Sequence, residues 1–331
     1  MGKLFHSKKV ISAILLAAAM VAVLRVVYPK PEVDSAWGSP YSGILRVWQI
    51  DGVEGGKGAR AAFLSRAAKV FEEENEGVFV LVTAHTKESA QNAVENGDVP
   101  DVLSFSGACD FAADIAVPLS GMEWSASQIG GKTLAYPWCR GGYFLFSAEG
   151  DFSDVSAKNT VFSVSDNANV YAAAFYAGLQ GDFTAEPSEK AYVSLINGKY
   201  KYMLGTQRDI YRFRARNFSV RAKALQGYSD IWQYAAVCSG RGGMSAAAQD
   251  FLRCLLSVEA QAELGIIGMM SVACKIYGAE ETAMREAESA LPEKKPSAWL
   301  SQNAFEQFRA EAERAVKGDK TSAKNLQNYL V

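Results

Sequence analysis

Apolar residues recur every three to four positions across residues 59–75, with Phe63, Ala67, Val70 and Phe71 on one face and Glu72, Glu73 and Glu74 at the end. That spacing predicts an amphipathic helix. A short apolar run, Val78-Phe-Val-Leu-Val82, follows almost at once, and a second helical stretch over 87–95 stops at Gly97. Pro100-Asp101 then opens another apolar run, while Leu45-Arg-Val-Trp-Gln-Ile50 stands as a strand ahead of the first helix. Continuous β-branched runs alternating with helical periodicity are the pattern of a parallel sheet covered by helices. The chain therefore opens β-α-β-α-β, the start of an α/β domain.

Further along, residues 246–256 form a helical pattern with Ala248, Phe251, Cys254 and Leu255 on its apolar face, and 301–316 another with Phe305, Phe308, Ala312 and Ala315. Gly318 ends the latter, and Thr321 starts a closing helix. Residues 131–146 read as a strand of mixed aromatic character, but Pro137 and Gly141-Gly142 make it too irregular for a central ladder and suit it to a hinge. Thr206 can cap the helix that begins beyond it, leaving free backbone N–H groups at its start. Residues 151–200 are the least legible; a strand at 161–164 and a helix over 170–179 are all that the pattern predicts.

The N-terminus differs in kind. Lys3, Lys8 and Lys9 precede fifteen residues, 10–24, broken only by Ser12, and Arg25 comes next. Positive charge ahead of an apolar run holds the N-terminus in the cytoplasm and exports the chain beyond the run. Fifteen residues suit a signal peptide, since a span needs about eighteen or more. However, no small-x-small cleavage site comes after the run, and no cysteine lies near its end for lipoprotein processing. Arg25 can snorkel to the outer interface, so residues 1–28 are expected to be an uncleaved signal anchor in preference to a cleaved signal peptide. Residues 29–43 are expected to form a tether.

With 331 residues, 49% of them apolar and 21% charged, the chain is long enough for two lobes. Residues 31–331 carry 29 basic and 36 acidic side chains, about −7. That disfavours nucleic acid or an anionic membrane surface as partner. The five cysteines, Cys109, Cys139, Cys238, Cys254 and Cys274, are odd in number and match no metal spacing, with only His6 and His85 to assist. They read as small buried hydrophobes, and no metal or cofactor is expected. The glycine-rich Asp51-Gly-Val-Glu-Gly-Gly-Lys-Gly58 is not a phosphate loop, because position 58 is glycine and the Mg²⁺-binding hydroxyl is missing. His85 has no nucleophile signature nearby and no Gly-x-Ser-x-Gly elbow exists, so the chain does not read as an enzyme.

In order and spacing, the opening strand ending in Trp48, the helix ending in Phe71-Glu, and Gly97-Asp-Val-Pro-Asp-Val resemble the sugar-type extracellular solute-binding proteins of bacterial ABC importers. Residues 131–146 are similar to that family's first inter-lobe crossing, although Phe146-Ser147 replaces its usual Tyr-Asn. Residues 198–212 and the Ser257-Val-Glu-Ala-Gln261 segment resemble further stretches, and Met270-Ser-Val occupies the place of its usual Leu-Pro-Val. The resemblance covers roughly 44–148 and 191–331. It implies an α/β, two-lobed periplasmic-binding-protein-like fold (type II), with a reduced second lobe because the family has far more chain over 151–200. One lobe is expected to comprise 44–138 plus 234–272, the other 139–233 plus 273–331. The crossings at 136–143, 232–237 and 270–273 should then lie together as one hinge.

The strand C-terminal edges of open α/β sheets are where ligands bind, which singles out Gln49 and Asp51. The resemblance adds Ser104 and Ser106 at the next such edge and Thr206 at a cleft-facing helix. Trp138, Tyr143, Trp232 and Trp299 are candidate aromatic platforms, each competing with a plain core reading, since sugars stack on rings while their hydroxyls meet polar groups. The implied function is capture of a small neutral solute, a sugar by preference, by a monomer on the outer face of a bacterial membrane, and its delivery to an ABC permease. A divergent receptor working in sensing or assembly without transport is the competing expectation.

Overall fold

A computed structural model describes residues 41–52, 55–119, 127–129, 132–165, 168–239, 244–289 and 291–331. The anchor expected over 1–28 and all but the last three residues of the tether lie outside the described residues. Among the described residues no helix is long and apolar enough to cross a membrane.

The chain first builds β1 (Gly43–Ile50), α1 (Arg60–Glu74), β2 (Val78–His85), α2 (Lys87–Glu95), β3 (Val102–Phe105), the short α3 (Ala112–Ile115), β4 (Ser127–Ile129) and β5 (Lys132–Arg140). It then lays down β6 (Tyr143–Ser147), β7 (Thr160–Val164), α4 (Val170–Tyr176), β8 (Thr184–Pro187), α5 (Ser188–Ile196), β9 (Tyr202–Thr206), α6 (Gln207–Ala215) and β10 (Arg221–Ala224). It returns through β11 (Trp232–Val237), α7 (Met244–Leu255) and α8 (Val258–Ala262), and closes with α9 (Thr282–Ser289), α10 (Gln302–Val316) and α11 (Lys320–Asn325). Two sheets result, in the orders β2-β1-β3-β11-β5-β4 and β10-β6-β9-β7-β8.

In the first sheet β1 runs parallel to both β2 and β3, as the alternating pattern predicts, and β11 inserts antiparallel between β3 and β5. α1 seals one face with Phe63, Leu64, Ala67, Ala68 and Phe71, all buried. Each large apolar side chain so enclosed contributes about 1.5–3 kcal/mol. Phe63 stacks on Trp138 at 5.4 Å, and Phe71 meets Phe251 of α7 edge-on at 5.5 Å. Val70, expected on the buried face, is 50% exposed. At 100° per residue the buried arc runs from Phe63 to Ala68, and Val70 falls just beyond its edge. Cys254 is half-buried and the other cysteines are buried or half-buried, none of them bonded.

The segments joining the sheets run side by side. Arg140 and Met270 exchange backbone hydrogen bonds in both directions, at 3.0 and 2.8 Å, and Gly141 N donates to Ile231 O at 2.7 Å. Gly141 leaves little room there: a Cβ would lie 2.5 Å from the side chains of both Gln207 and Ile231. Arg140 itself is 2% exposed; its Nη2 donates to Ala287 O and Glu288 O at the end of α9, at 3.1 and 3.0 Å. At the far end, Gly181 N donates to Val316 O, tying α10 to the second sheet's α4 region.

Candidate functional site

Strand C-terminal edges and helix N-termini from both sheets line one cleft of about 790 Å³. The first sheet contributes Asp51, the turn 55–58 and Arg60 at the start of α1. The second contributes Ser165 after β7, Ser188 and Glu189 where β8 runs into α5, and Arg208 in the first turn of α6. The turn from β1 to α1 is glycine-rich because it is pressed onto Ile267 and Gly268. Lys57 N and Gly58 N both donate to Ile267 O, at 2.9 and 3.3 Å, and a Cβ on Gly56 would sit 2.2 Å from Gly268 O.

A string of polar side chains fixes the floor. Arg60, 4% exposed, donates from Nε and Nη2 to Asp51 Oδ1 at 3.1 and 2.9 Å and from Nη1 to Gln233 Oε1 at 3.1 Å. Gln233 Nε2 in turn donates to Ser104 Oγ at 3.1 Å, as does Trp138 Nε1 at 2.9 Å. Buried polar groups of this kind are costly unless paired, and the string pairs nearly all of them. Gln49 Nε2 reaches Ile50 O and Asp51 Oδ1, while its buried Oε1 has no partner. The cleft is bridged at one end, where Gln207 Nε2 donates to Gly55 O at 3.4 Å and Lys57 Nζ lies 5.1 Å from the Tyr211 ring centre.

Of the residues singled out from sequence, Asp51 lines the cleft, and Gln49 and Ser104 lie directly behind it. Ser106 is buried, its Oγ occupying the space a side chain at Gly52 would need. Thr206 caps α6 in a reciprocal capping box with Asp209, whose Oδ2 accepts from Thr206 N at 3.1 Å. The aromatic candidates correct the expectation of a stacking platform. Trp138 is fully enclosed against Phe63, and Tyr143 is buried with its hydroxyl donating to Asp230 Oδ1 at 2.6 Å. Trp232 is 7% exposed and bonds Ser229 O through Nε1; Trp299 packs on Phe105 at 5.4 Å. None of the four is part of the cleft lining. Arg60, Lys57, Gln233 and Arg208 were not foreseen; a cation at a helix start gives no periodic signal.

A second hollow of about 780 Å³ opens on the other side of Asp51, lined by His85, Lys87, Cys109, Asp110 and Gln302. Burial pushes the Cys109 thiol up to about 12, and burial lowers both Lys87 and His85. A thiol so protonated at neutral pH is no nucleophile. Gln302 closes this side, accepting from Lys87 Nζ at 3.2 Å and donating its backbone N–H to Asp110 Oδ1 at 2.7 Å.

No protein-family model and no curated protein sequence matches the chain. Solved structures do match in fold. The sugar-binding protein MalE from Xanthomonas citri aligns at 14% identity over 86% of this chain and 95% of its own, with a TM-score of 0.61. The GacH receptor of Streptomyces glaucescens, solved unliganded and with acarbose, aligns at 16% over 87% and 96%, TM-score 0.59. Iron-bound HitA from Pseudomonas aeruginosa aligns at 16% over 82% and 99%, TM-score 0.53. The two-sheet α/β architecture is thus that of two-lobed periplasmic binding proteins. Because a sugar-binding protein and an iron-bound one share it, the fold leaves the ligand class to the cleft.

Proposed function

We propose that the chain is an extracellular or periplasmic solute-binding receptor that captures a small hydroxyl-bearing solute, a sugar or sugar derivative, between two lobes and hands it to an ABC permease. The lobes are 44–138 plus 234–272, and 139–233 plus 273–331, the second reduced to a five-stranded sheet and its helices. The observation that carries this reading is the cleft lined from both sheets beside three adjacent crossings, Arg140-Gly141, Ile231-Trp232 and Met270. Adjacent crossings of this kind let two bodies rotate as units while the chain strains at few positions. The binding-protein neighbours support a non-enzymatic role, and residues 1–28 would hold the receptor at the membrane.

Titration calorimetry against a panel of mono- and oligosaccharides, paired with small-angle scattering, tests the proposal. Saturating binding accompanied by a smaller radius of gyration is the expected result. Binding without compaction, mapped outside the cleft, would refute it.

A further inference from the structure

We infer that the solute held in this cleft carries an anionic group, a carboxylate or phosphate on a hydroxyl-bearing body, received by Lys57 and Arg208. The inference rests on the receptor reading above and adds the charge of its ligand.

Among the described residues the cleft walls hold three cationic side chains and two acidic ones, and the Tyr211 ring meets Lys57 at the bridged end. Both acids already face cations. Asp51 Oδ1 takes three donors, from Gln49 Nε2 and from Arg60 Nε and Nη2. Glu189 lies 3.9 Å from Arg212 Nη2, a guanidinium that also pairs with Asp209 at 3.0 Å. Arg60 is committed to Asp51 and, behind it, to Gln233, so the Arg60–Asp51 pair offsets itself and forms a fixed floor. Lys57 stands on one wall and Arg208 on the other. Like charges on facing walls oppose closure, and an anion between them reverses the sign of that interaction.

The backbone adds to the side chains. The turn 55–58 has three glycines, so a ligand oxygen can approach its main chain closely. α1 and α5 both begin at the cleft, after Ala59 and Pro187, and neither of these supplies a capping oxygen. α2, α8 and α10 are capped by the side chains of Thr86, Ser257 and Ser301. The partial positive charge of the two uncapped ends therefore augments Lys57 and Arg208.

Thermal unfolding of the purified full chain with glucuronate, glucose 6-phosphate, inorganic phosphate, glucose and maltose tests the inference. Glucuronate or glucose 6-phosphate should raise the melting temperature in proportion to the logarithm of concentration, and glucose and maltose should not. Which of the two anions acts distinguishes carboxylate from phosphate, and an equal response to inorganic phosphate would keep the charge assignment while removing the need for the sugar body. Lys57→Met should weaken binding roughly tenfold or more, the weight of one charged hydrogen bond, measured as the ligand-induced shift from the variant's own unliganded melting temperature. Affinity should also fall as salt rises. Saturable binding of a neutral sugar, unaffected by Lys57→Met, would overturn the anionic assignment and leave the receptor reading intact. No response to any of the five, with no compaction in scattering, would overturn both.

Discussion

Arg140 and Met270 exchange their backbone hydrogen bonds in both directions, at 3.0 and 2.8 Å, although 130 positions separate them in the chain. The pair joins the first crossing between the sheets to the last. The middle crossing is tied in by the bond from Gly141 N to Ile231 O, so rotation of one sheet against the other concentrates strain in a few adjacent peptides.

Gly141 is the position where this packing leaves least room. Gly141→Val places its Cβ 2.5 Å from Gln207 and Ile231, and should lower stability by about 1–3 kcal/mol, the usual cost of overpacking. Urea unfolding monitored by circular dichroism measures it. A midpoint equal to the wild type would show that the crossings are looser than described.

Trp232 should behave as core. Its ring lies 5.9 Å from the Arg140 guanidinium and 5.0 Å from the Lys295 ammonium, and its Nε1 bonds Ser229 O at 3.0 Å. Trp232→Ala is expected to cost about 3–5 kcal/mol of stability. A variant of unchanged stability that loses only solute affinity would restore the platform role expected from sequence.

Glu186, only 5% exposed, accepts from Lys199 Nζ at 2.8 Å and Ser194 Oγ at 2.6 Å. The Lys199 bond, then the Ser194 bond, hold its carboxyl below the ordinary carboxylate value of 4.5. A depressed acid stabilises the fold above its unfolded pKa, and that contribution is lost as pH falls through the folded value. Glu186→Gln should therefore cost about 1.5–3 kcal/mol at pH 7, and the gap from wild type should close below pH 4.5. A gap independent of pH across that range would contradict the pairing.

Much of the first sheet was legible because its signals are local. The run from Leu45 to Leu103 alternates helix and strand periods within single windows, and Thr206 with Asp209 is a cap written in four consecutive residues. The cleft was less legible because its chemistry is assembled across the chain. Arg60 meets Gln233 from 173 positions away, and no pattern within either segment announces that bond. Aromatic residues misled for a related reason: Trp138 at a strand end looks the same whether it faces a ligand or Phe63. Residues 151–200 gave little because β8 is a four-residue edge strand with three exposed positions, too short for either period to register.

Hydrogen exchange in the presence of a saturating solute tests the central claim, that one solute engages both sheets at once. The solute is whichever panel member most raises the melting temperature. Protection should rise together over residues 55–60 on one wall and over 188–189 and 208 on the other, with little change at 85–88 and 109–111. Protection confined to one wall, or concentrated around His85 and Cys109 in the second hollow, would contradict the account.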